Sequence, residues 1–219
     1  MNNTNNSNLL VKQQRLTKAE RLQFSLTAQL KGILAGLLLG DLYIAKTKTN
    51  VNPWLHFKQS TVHEDYLIHL YELFKIYCPS GPKLKIGALD KRTGKSYKSI
   101  YFQTYCLPCF IELQELFYVA GKKVVPLNIG DLLTIEGLCY WICDDGYWQG
   151  NGVHLCTDSF TIEEVNLLVK TLTQKFNLEC TLNKKNNGYR IRISSGSMPK
   201  LQSLLAPHMP SMMRYKIGL

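Results

Sequence analysis

Acidic residues are scarce in this chain. Lys and Arg number 26 against 16 Asp and Glu, a formal net charge of +10 over 219 residues. That surplus calls for a polyanionic partner, and on charge alone either nucleic acid or an anionic membrane surface qualifies. Long apolar runs are missing too. The longest, Ile33 to Leu39, falls far below the roughly 20 residues that span a bilayer, so no membrane role is expected. No apolar stretch of signal-peptide type follows the Asn-rich start, and the Arg and Ser bias of a transit peptide is absent. Synthesis inside an organelle, chloroplast or mitochondrion, fits that pattern.

Cysteine is present but unpaired in pattern. Seven residues, an odd number, lie scattered along the chain, which suits a reducing compartment better than a disulfide framework. Cys106-Leu107-Pro108-Cys109 follows a strand-like run and opens a helix, where a redox pair would sit. No βαβ order precedes it and no second CxxC completes a zinc site, so two helix-start cysteines are expected. His63-Glu64 and His69 miss the HExxH spacing of a zinc protease.

What is present repeats. Residues 1–16 read as a disordered Asn-rich tail, 17–120 as one half, 121–131 as a linker and 132–219 as a second half. Each half shows the order αββαββα, an α+β fold built from antiparallel sheets. In the first, helices are expected at Leu26–Gly40, His63–Tyr77 and Pro108–Val119. Strands are expected at Asp41–Lys46, Trp54–Ser60, Lys83–Leu89 and Tyr97–Thr104. In the second, helices fall at Leu132–Asp144, Phe160–Phe176 and Met198–Leu205, with a last turn near Met212. The strands there are Gly146–Gln149, Val153–Thr157, Glu179–Lys184 and Tyr189–Ser194.

The first helix of each half ends in acid. Leu34-Ala35-Gly36-Leu37-Leu38-Leu39-Gly40-Asp41 is matched, about half the chain later, by Leu138-Cys139-Tyr140-Trp141-Ile142-Cys143-Asp144-Asp145. Gly32, Gly36 and Gly40 recur every four residues, so they line one helix face. Glycine inside a helix costs about 1 kcal/mol relative to alanine, a cost a chain accepts where a partner helix must approach closely. Acids at helix C-termini oppose the helix dipole. Two brought together repel unless a cation lies between them, and the free carbonyls of those ends supply further oxygen ligands suited to magnesium. The alternative is a plain buried helix end.

Strand alternation separates two sheet faces. In Tyr189-Arg190-Ile191-Arg192-Ile193 the isoleucines share one side and the arginines the other. Lys83-Leu84-Lys85-Ile86 and Ser99-Ile100-Tyr101-Phe102-Gln103 alternate likewise. One face must be covered by helices. The other is polar and basic, with Lys46, Lys48, Lys58, Lys85, Lys98, Gln103, Gln149, Lys184, Arg190 and Arg192. A solvated face is the ordinary fate of such a surface. The near absence of acids within these strands favours a surface that lies in a DNA major groove.

The two motifs at this spacing resemble those of single-chain LAGLIDADG homing endonucleases, over about Leu30 to Lys216. Supporting matches are Lys122-Lys123-Val124-Val125-Pro126 before the second motif, Thr157–Val165 after it, and Met212-Met213-Arg214-Tyr215-Lys216. Tyr140 departs from the pattern by standing where the first motif has Gly36, so the halves are not expected to be symmetric. The resemblance implies a monomer whose sheets form a DNA-binding saddle, with the motif helices packed between the halves. It implies an intron-encoded enzyme that hydrolyses one phosphodiester on each strand of a long asymmetric site, leaving 3′ overhangs. Asp41 and Asp145 would hold two or three Mg²⁺ ions. The carbonyls of Gly40 and Asp144 are further candidate ligands, and Lys123 and Lys216 stand near the metals. Two alternatives remain: a maturase that binds intron RNA, and a DNA-binding protein without catalysis. Neither needs the acid pair.

Overall fold

The computed structural model describes residues 15–47, 51–185 and 188–219. The tail expected over 1–16 therefore lies almost wholly outside the described residues, as do Lys48 and the hairpin tip at Asn186-Asn187.

Thr17 opens the first helix, α1 (Lys18–Leu22), through a capping box with Glu20. The motif helix α2 (Ala28–Leu39) starts at a Thr27 cap, and every residue from Gly32 to Leu39 is buried. Then come β1 (Tyr43–Ala45), β2 (Trp54–Ser60), α3 (Glu64–Phe74), β3 (Lys83–Leu89), β4 (Ser96–Gln103) and α4 (Ile111–Phe117). After the two-stranded β5 (Tyr118–Val119) and β6 (Lys122–Lys123) and a short α5 (Ile129–Leu132), the order repeats. It runs α6 (Ile135–Asp145), β7 (Gly146–Trp148), β8 (Val153–Cys156), α7 (Ile162–Phe176), β9 (Cys180–Lys185), β10 (Gly188–Ile193) and α8 (Met198–Leu205). A 3₁₀ segment, Ser211–Ile217, closes the described chain. The twofold αββαββα order is thus present in the fold.

Each half carries one four-stranded antiparallel sheet, ordered β1-β2-β4-β3 and β7-β8-β10-β9. One apolar core runs through both, from Leu34, Leu37 and Leu38 to Trp141, Leu155, Ile191 and Leu201. No helix among the described residues is long and apolar enough to cross a membrane.

Three expectations need correction. The helix expected to reach Val119 stops at Phe117, because Tyr118 and Val119 pair with Lys123 and Lys122. Ala120 and Gly121 both take positive φ at the tip of that hairpin, so the segment expected as a linker is partly strand. The second motif helix is expected from Leu132 but starts at Ile135, where Thr134 caps it through the Gly137 amide. Finally, the apolar side of β3 is not covered. Leu84 and Ile86 stay 60% and 63% exposed. The helices cover this sheet only as far as Ile100 and Phe102, and β3 is an edge strand whose hairpin projects beyond them.

Candidate active site

Helix α2 lies against α6 so closely that at the centre of the contact backbone meets backbone. A Cβ added at Gly36 would stand 1.8 Å from the carbonyl oxygen of Gly137, and one at Gly137 would stand 2.4 Å from that of Gly32. At Gly32 it would meet the Thr134 side chain, and at Gly40 the Cβ of Asp144 at 2.6 Å. The glycine stripe therefore faces the partner motif along its whole length. Gly36 meets Gly137, not Tyr140. Tyr140 turns to α3 instead, where its hydroxyl bonds His69 Nε2 at 2.8 Å and the two rings stack.

This packing brings the acids together. The chain leaves α2 at Gly40, and the Asp41 N–H donates to Asp144 Oδ2 at 3.2 Å. Asp144 Oδ1 accepts from the Tyr66 hydroxyl at 2.9 Å, and Asp41 Oδ2 accepts from Gln59 Nε2 at 3.1 Å. Burial, with Asp41 next, pushes the Asp145 carboxyl up to about 7, while Lys123 and Lys216 pull it back. Asp144 is raised well above the usual carboxylate range by burial and then by Asp41, against the pull of its Tyr66 donor. Asp144 and Asp145 are half-buried and Asp41 is exposed beside them. Three acids this close repel, and that repulsion favours either a proton or a cation among them.

Two lysines complete the centre, one per helix end. Lys123 Nζ donates to the carbonyls of Gly40 at 2.7 Å and Leu42 at 2.8 Å. Lys216 Nζ donates to the carbonyls of Cys143 and Asp144. Burial lowers the Lys123 pKa, and Asp145, Asp144 and Asp41 hold it up in that order. Each ammonium satisfies carbonyls that a helix end leaves unpaired. The carbonyls of Gly40 and Asp144 that sequence offered as metal ligands are, in this structure, accepting from lysine. They present a donor set of the kind a hard cation takes: two carboxylates and backbone oxygens already facing positive charge. No group of three His, Cys, Asp or Glu side chains arranged for a metal is found among the described residues. A small hard cation that keeps waters and phosphate oxygens in its shell is what such a sparse set suits.

The remaining sequence candidates divide. Lys58 and Lys85 share one sheet face with His56, Ser99, Tyr101 and Gln103, and Gln103 bonds His56 Nδ1 at 2.8 Å. Arg190 and Arg192 share the corresponding face of the second sheet with Cys156 and His154. Lys46 and Gln149 are exposed just beyond β1 and β7. Lys98 and Lys184, expected on the basic faces, belong to the opposite ones. Lys98 pairs with Ile86 beside Ile100, and Lys184 pairs with Tyr189 beside Ile191. Alternation counted from Arg190 across the strand pair puts Asn183 and Lys185, not Lys184, on the arginine side. Lys83 joins the first sheet's basic face opposite Tyr101.

Sequence reasoning missed Gln59, Tyr66 and Asp158. Tyr66 was legible only as an apolar helix position, and Gln59 as one polar residue in a strand. Asp158 pairs with Arg190 Nε at 2.8 Å and adds to the charge felt by Asp145. Cys106 and Cys109 are not activated, since burial pushes both thiols up, Cys109 to about 11, where a redox cysteine needs a lowered value.

Residues 31–201 match the LAGLIDADG DNA endonuclease family. The chain belongs to that family. It is 35% identical over 191 residues to the cytochrome b mRNA maturase bI2 of Debaryomyces hansenii, covering 85% of this chain and 72% of the relative. It is 31% identical to the DNA endonuclease I-ChuI of Chlamydomonas applanata, covering 89% and 96%. Its structure resembles that of the homing endonuclease I-WcaI bound to its DNA recognition sequence, with a TM-score of 0.83, 28% identity and coverage of 89% and 88%.

Proposed function

We propose that this LAGLIDADG protein is an intron-encoded homing endonuclease that acts as a monomer on a long asymmetric site in double-stranded DNA. It hydrolyses one phosphodiester on each strand and leaves 3′ overhangs. The observation that carries this reading is the convergence of Asp41, from the end of α2, with Asp145, from the end of α6, beside Lys123 and Lys216. A DNA-binding protein without chemistry has no use for repelling acids at the seam between its halves.

Asp41 and Asp145 would hold two or three Mg²⁺ ions, with the carbonyls of Gly40 and Asp144 as further ligands. Magnesium when bound supplies activation of water and neutralisation of charge on the leaving 3′ oxygen. Gln59 orients the Asp41 carboxylate through its 3.1 Å bond. Lys123 and Lys216 place positive charge where a phosphate gains negative charge during displacement. The basic sheet faces, with Lys58, Lys85, Gln103, Arg190 and Arg192, lie in the major groove on either side and fix the register. Kinship with a relative named for the cytochrome b message supports a gene within an organellar intron, with synthesis inside that organelle.

The deciding experiment incubates the protein and Mg²⁺ with DNA spanning the intron-less insertion site of its host gene. Cleavage of both strands at one position is expected. Tight binding with no cleavage at any Mg²⁺ concentration would leave only a binding protein. The maturase relative favours a second activity, binding of the host intron RNA. Splicing assays with Asp41→Asn test it, because assistance to RNA folding should survive loss of that acid.

A further inference from the structure

We propose that the side chain of Asp144 positions Asp41, as a hydrogen-bonded bracket reaching from the second motif into the N-terminal half, and is not a third acid of the cation site. The proposal rests on the assignment of Asp41 and Asp145 as the cation-holding pair. Asp144 occupies the motif position held in the first helix by Gly40. Both hydrogen bonds of its carboxylate go to the other half. Oδ2 accepts from the Asp41 N–H at 3.2 Å, and Oδ1 accepts from Tyr66, a fully buried residue of α3, at 2.9 Å. The flanking amides differ. Gly40 N–H bonds the carbonyls of Gly36 and Leu37, and Leu42 N–H bonds that of Leu37. The Asp41 amide, just past the helix end, bonds no backbone carbonyl among the described residues. Asp144 supplies what the backbone does not.

Space was made for this contact. A Cβ at Gly40 would stand 2.6 Å from Asp144 Cβ and 2.8 Å from its Oδ2. Glycine in one motif and aspartate in the other are therefore a complementary pair. Asp145 differs from its neighbour: its carboxylate accepts no hydrogen bond among the described residues, and Lys123 and Lys216 are its positive neighbours. One acid is committed to holding the turn and the other is left facing cations. The bracket also ties docking of the halves to the placement of Asp41, because the turn that carries Asp41 is bonded to the helix that carries Asp145.

The test uses the full chain and variants of Asp144 and Tyr66, with Asp41→Asn and Asp145→Asn as references. In metal-free protein, hydrogen exchange at the Asp41 amide should be at least about 10-fold faster in Asp144→Ala than in wild type. In Asp144→Asn it should stay near wild type, since the amide side chain keeps an acceptor for Asp41 and offers Tyr66 a donor. Single-turnover cleavage in Mg²⁺ should fall roughly 10- to 100-fold in Asp144→Ala, the scale of a misplaced reacting group. Affinity for target DNA in Ca²⁺ should stay within about threefold, and Asp144→Asn should recover most of the rate. Adding Tyr66→Phe to Asp144→Ala should cost nothing more, as for two members of one unit. If Asp144→Asn is as inactive as Asp145→Asn and its Mg²⁺ response is lost with it, Asp144 is a ligand and the bracket is wrong. Unchanged exchange and cleavage in Asp144→Ala would overturn it equally. Should the alanine variant not fold, Asp144→Asn and Tyr66→Phe separate bracket from ligand by the same two measurements. Normal cutting by Asp41→Asn or Asp145→Asn would instead sink the cation-pair assignment, whatever Asp144 does.

Discussion

In the N-terminal half the sheet runs β1-β2-β4-β3, and in the C-terminal half β7-β8-β10-β9, the same elements in the same order. Their polar faces differ in kind. The first presents Lys58, Lys83 and Lys85, none in an ion pair among the described residues. On the second, Arg190 is held by Asp158 and lies over the Tyr147 ring, and Arg192 bonds the Asn151 side chain. Lysine is a mobile point charge suited to phosphates, whereas a planar guanidinium fixed by its neighbours presents a rigid fork to a base edge. The motif helices differ too, with Gly36 against Tyr140 and Gly40 against Asp144. The two halves share a frame and differ in the side chains that they present to each other and on their polar faces.

The strongest way to break the comparison is to remove one acid at a time. If each half were a separate nuclease, Asp41→Asn or Asp145→Asn would still nick one strand. Electrostatics argue otherwise: after burial, which shifts both groups most, Asp145, Asp144 and Asp41 all hold the Lys123 pKa up, and Asp41 raises that of Asp145. Each substitution should suppress cleavage of both strands by about 1000-fold, a scale set by loss of one transition-state contact. Binding in Ca²⁺ should remain. Supercoiled plasmid carrying the target separates the cases, since nicked circles appearing at the wild-type rate would mean independent halves.

Next in size is the seam. Gly36→Ala drives a Cβ to 1.8 Å from the backbone oxygen of Gly137. A neighbouring backbone cannot rotate away as a side chain does, so the helices must separate. The expected cost is about 3 kcal/mol or more, or a fall in melting temperature of roughly 6–12 °C at this chain length. Gly94→Ala is the control. That residue also lacks a Cβ for a reason, φ +65° in a hairpin, but nothing lies within 4 Å of the added atom. Its cost should be near 1 kcal/mol. Equal melting shifts for the two would remove the case for a close approach at the motif helices.

Legibility in the sequence followed the range of the physics involved. The glycine spacing, the terminal acids and the twofold element order are local patterns, and all survive in the fold. In the structure Thr17 and Thr161 cap their helices through boxes with Glu20 and Glu164, a pattern of the same short range. Lys184 failed because its facing depends on register with the next strand, where one residue of slip reverses a side chain. Lys98 lies two residues before Ile100, so alternation within its own strand already put it on the apolar side. Leu84 and Ile86 failed because alternation shows which side is apolar, but not whether a helix is long enough to cover it. Tyr66, Gln59 and Asp158 gave no signal of the bonds they make. Their roles are bonds across 78 residues to Asp144, 18 to Asp41 and 32 to Arg190, and no spacing rule spans such distances.

The sheet faces sharpen the comparison at smaller scale. Arg190→Ala should cost about 1–3 kcal/mol on the true target and relax discrimination at one base position, as loss of a guanidinium–base contact does. Asp158→Ala should follow it in part by freeing the guanidinium. Lys85→Ala should instead weaken binding to all sequences alike and lower the slope of log K against log salt by about 1. Competition titrations over a panel of single-base variants, repeated at several salt concentrations, read both. A uniform loss from Arg190→Ala would mean that both sheets contact only phosphate.

The smallest effect expected lies where Tyr140 replaces a glycine. His69 reaches from α3 to bond and stack on that ring, and burial lowers the His69 pKa below 6.5. In the unfolded chain the imidazole takes up its proton near 6.5, while in the fold it does so only at lower pH. Folding therefore releases a proton in that window. The stability concerned is present above about pH 6.5 and is lost as pH falls through the folded value. His56 and His154 are lowered as well, His56 by burial, Lys58 and Lys85, and His154 by burial and Arg192 first. Their contributions run in the same direction, so His69→Gln should flatten the fall in melting temperature between pH 7.5 and 5.0 by only roughly 2 °C. DNA distinguishes the three histidines. His56 and His154 sit on the polar sheet faces, where the phosphates of bound DNA should raise their pKa values and reduce their share of the acid sensitivity. His69 lies between α3 and α6, away from those faces, so its share should persist in the Ca²⁺ complex. An unaltered pH slope in His69→Gln, free and DNA-bound alike, would show that this contact carries no proton linkage.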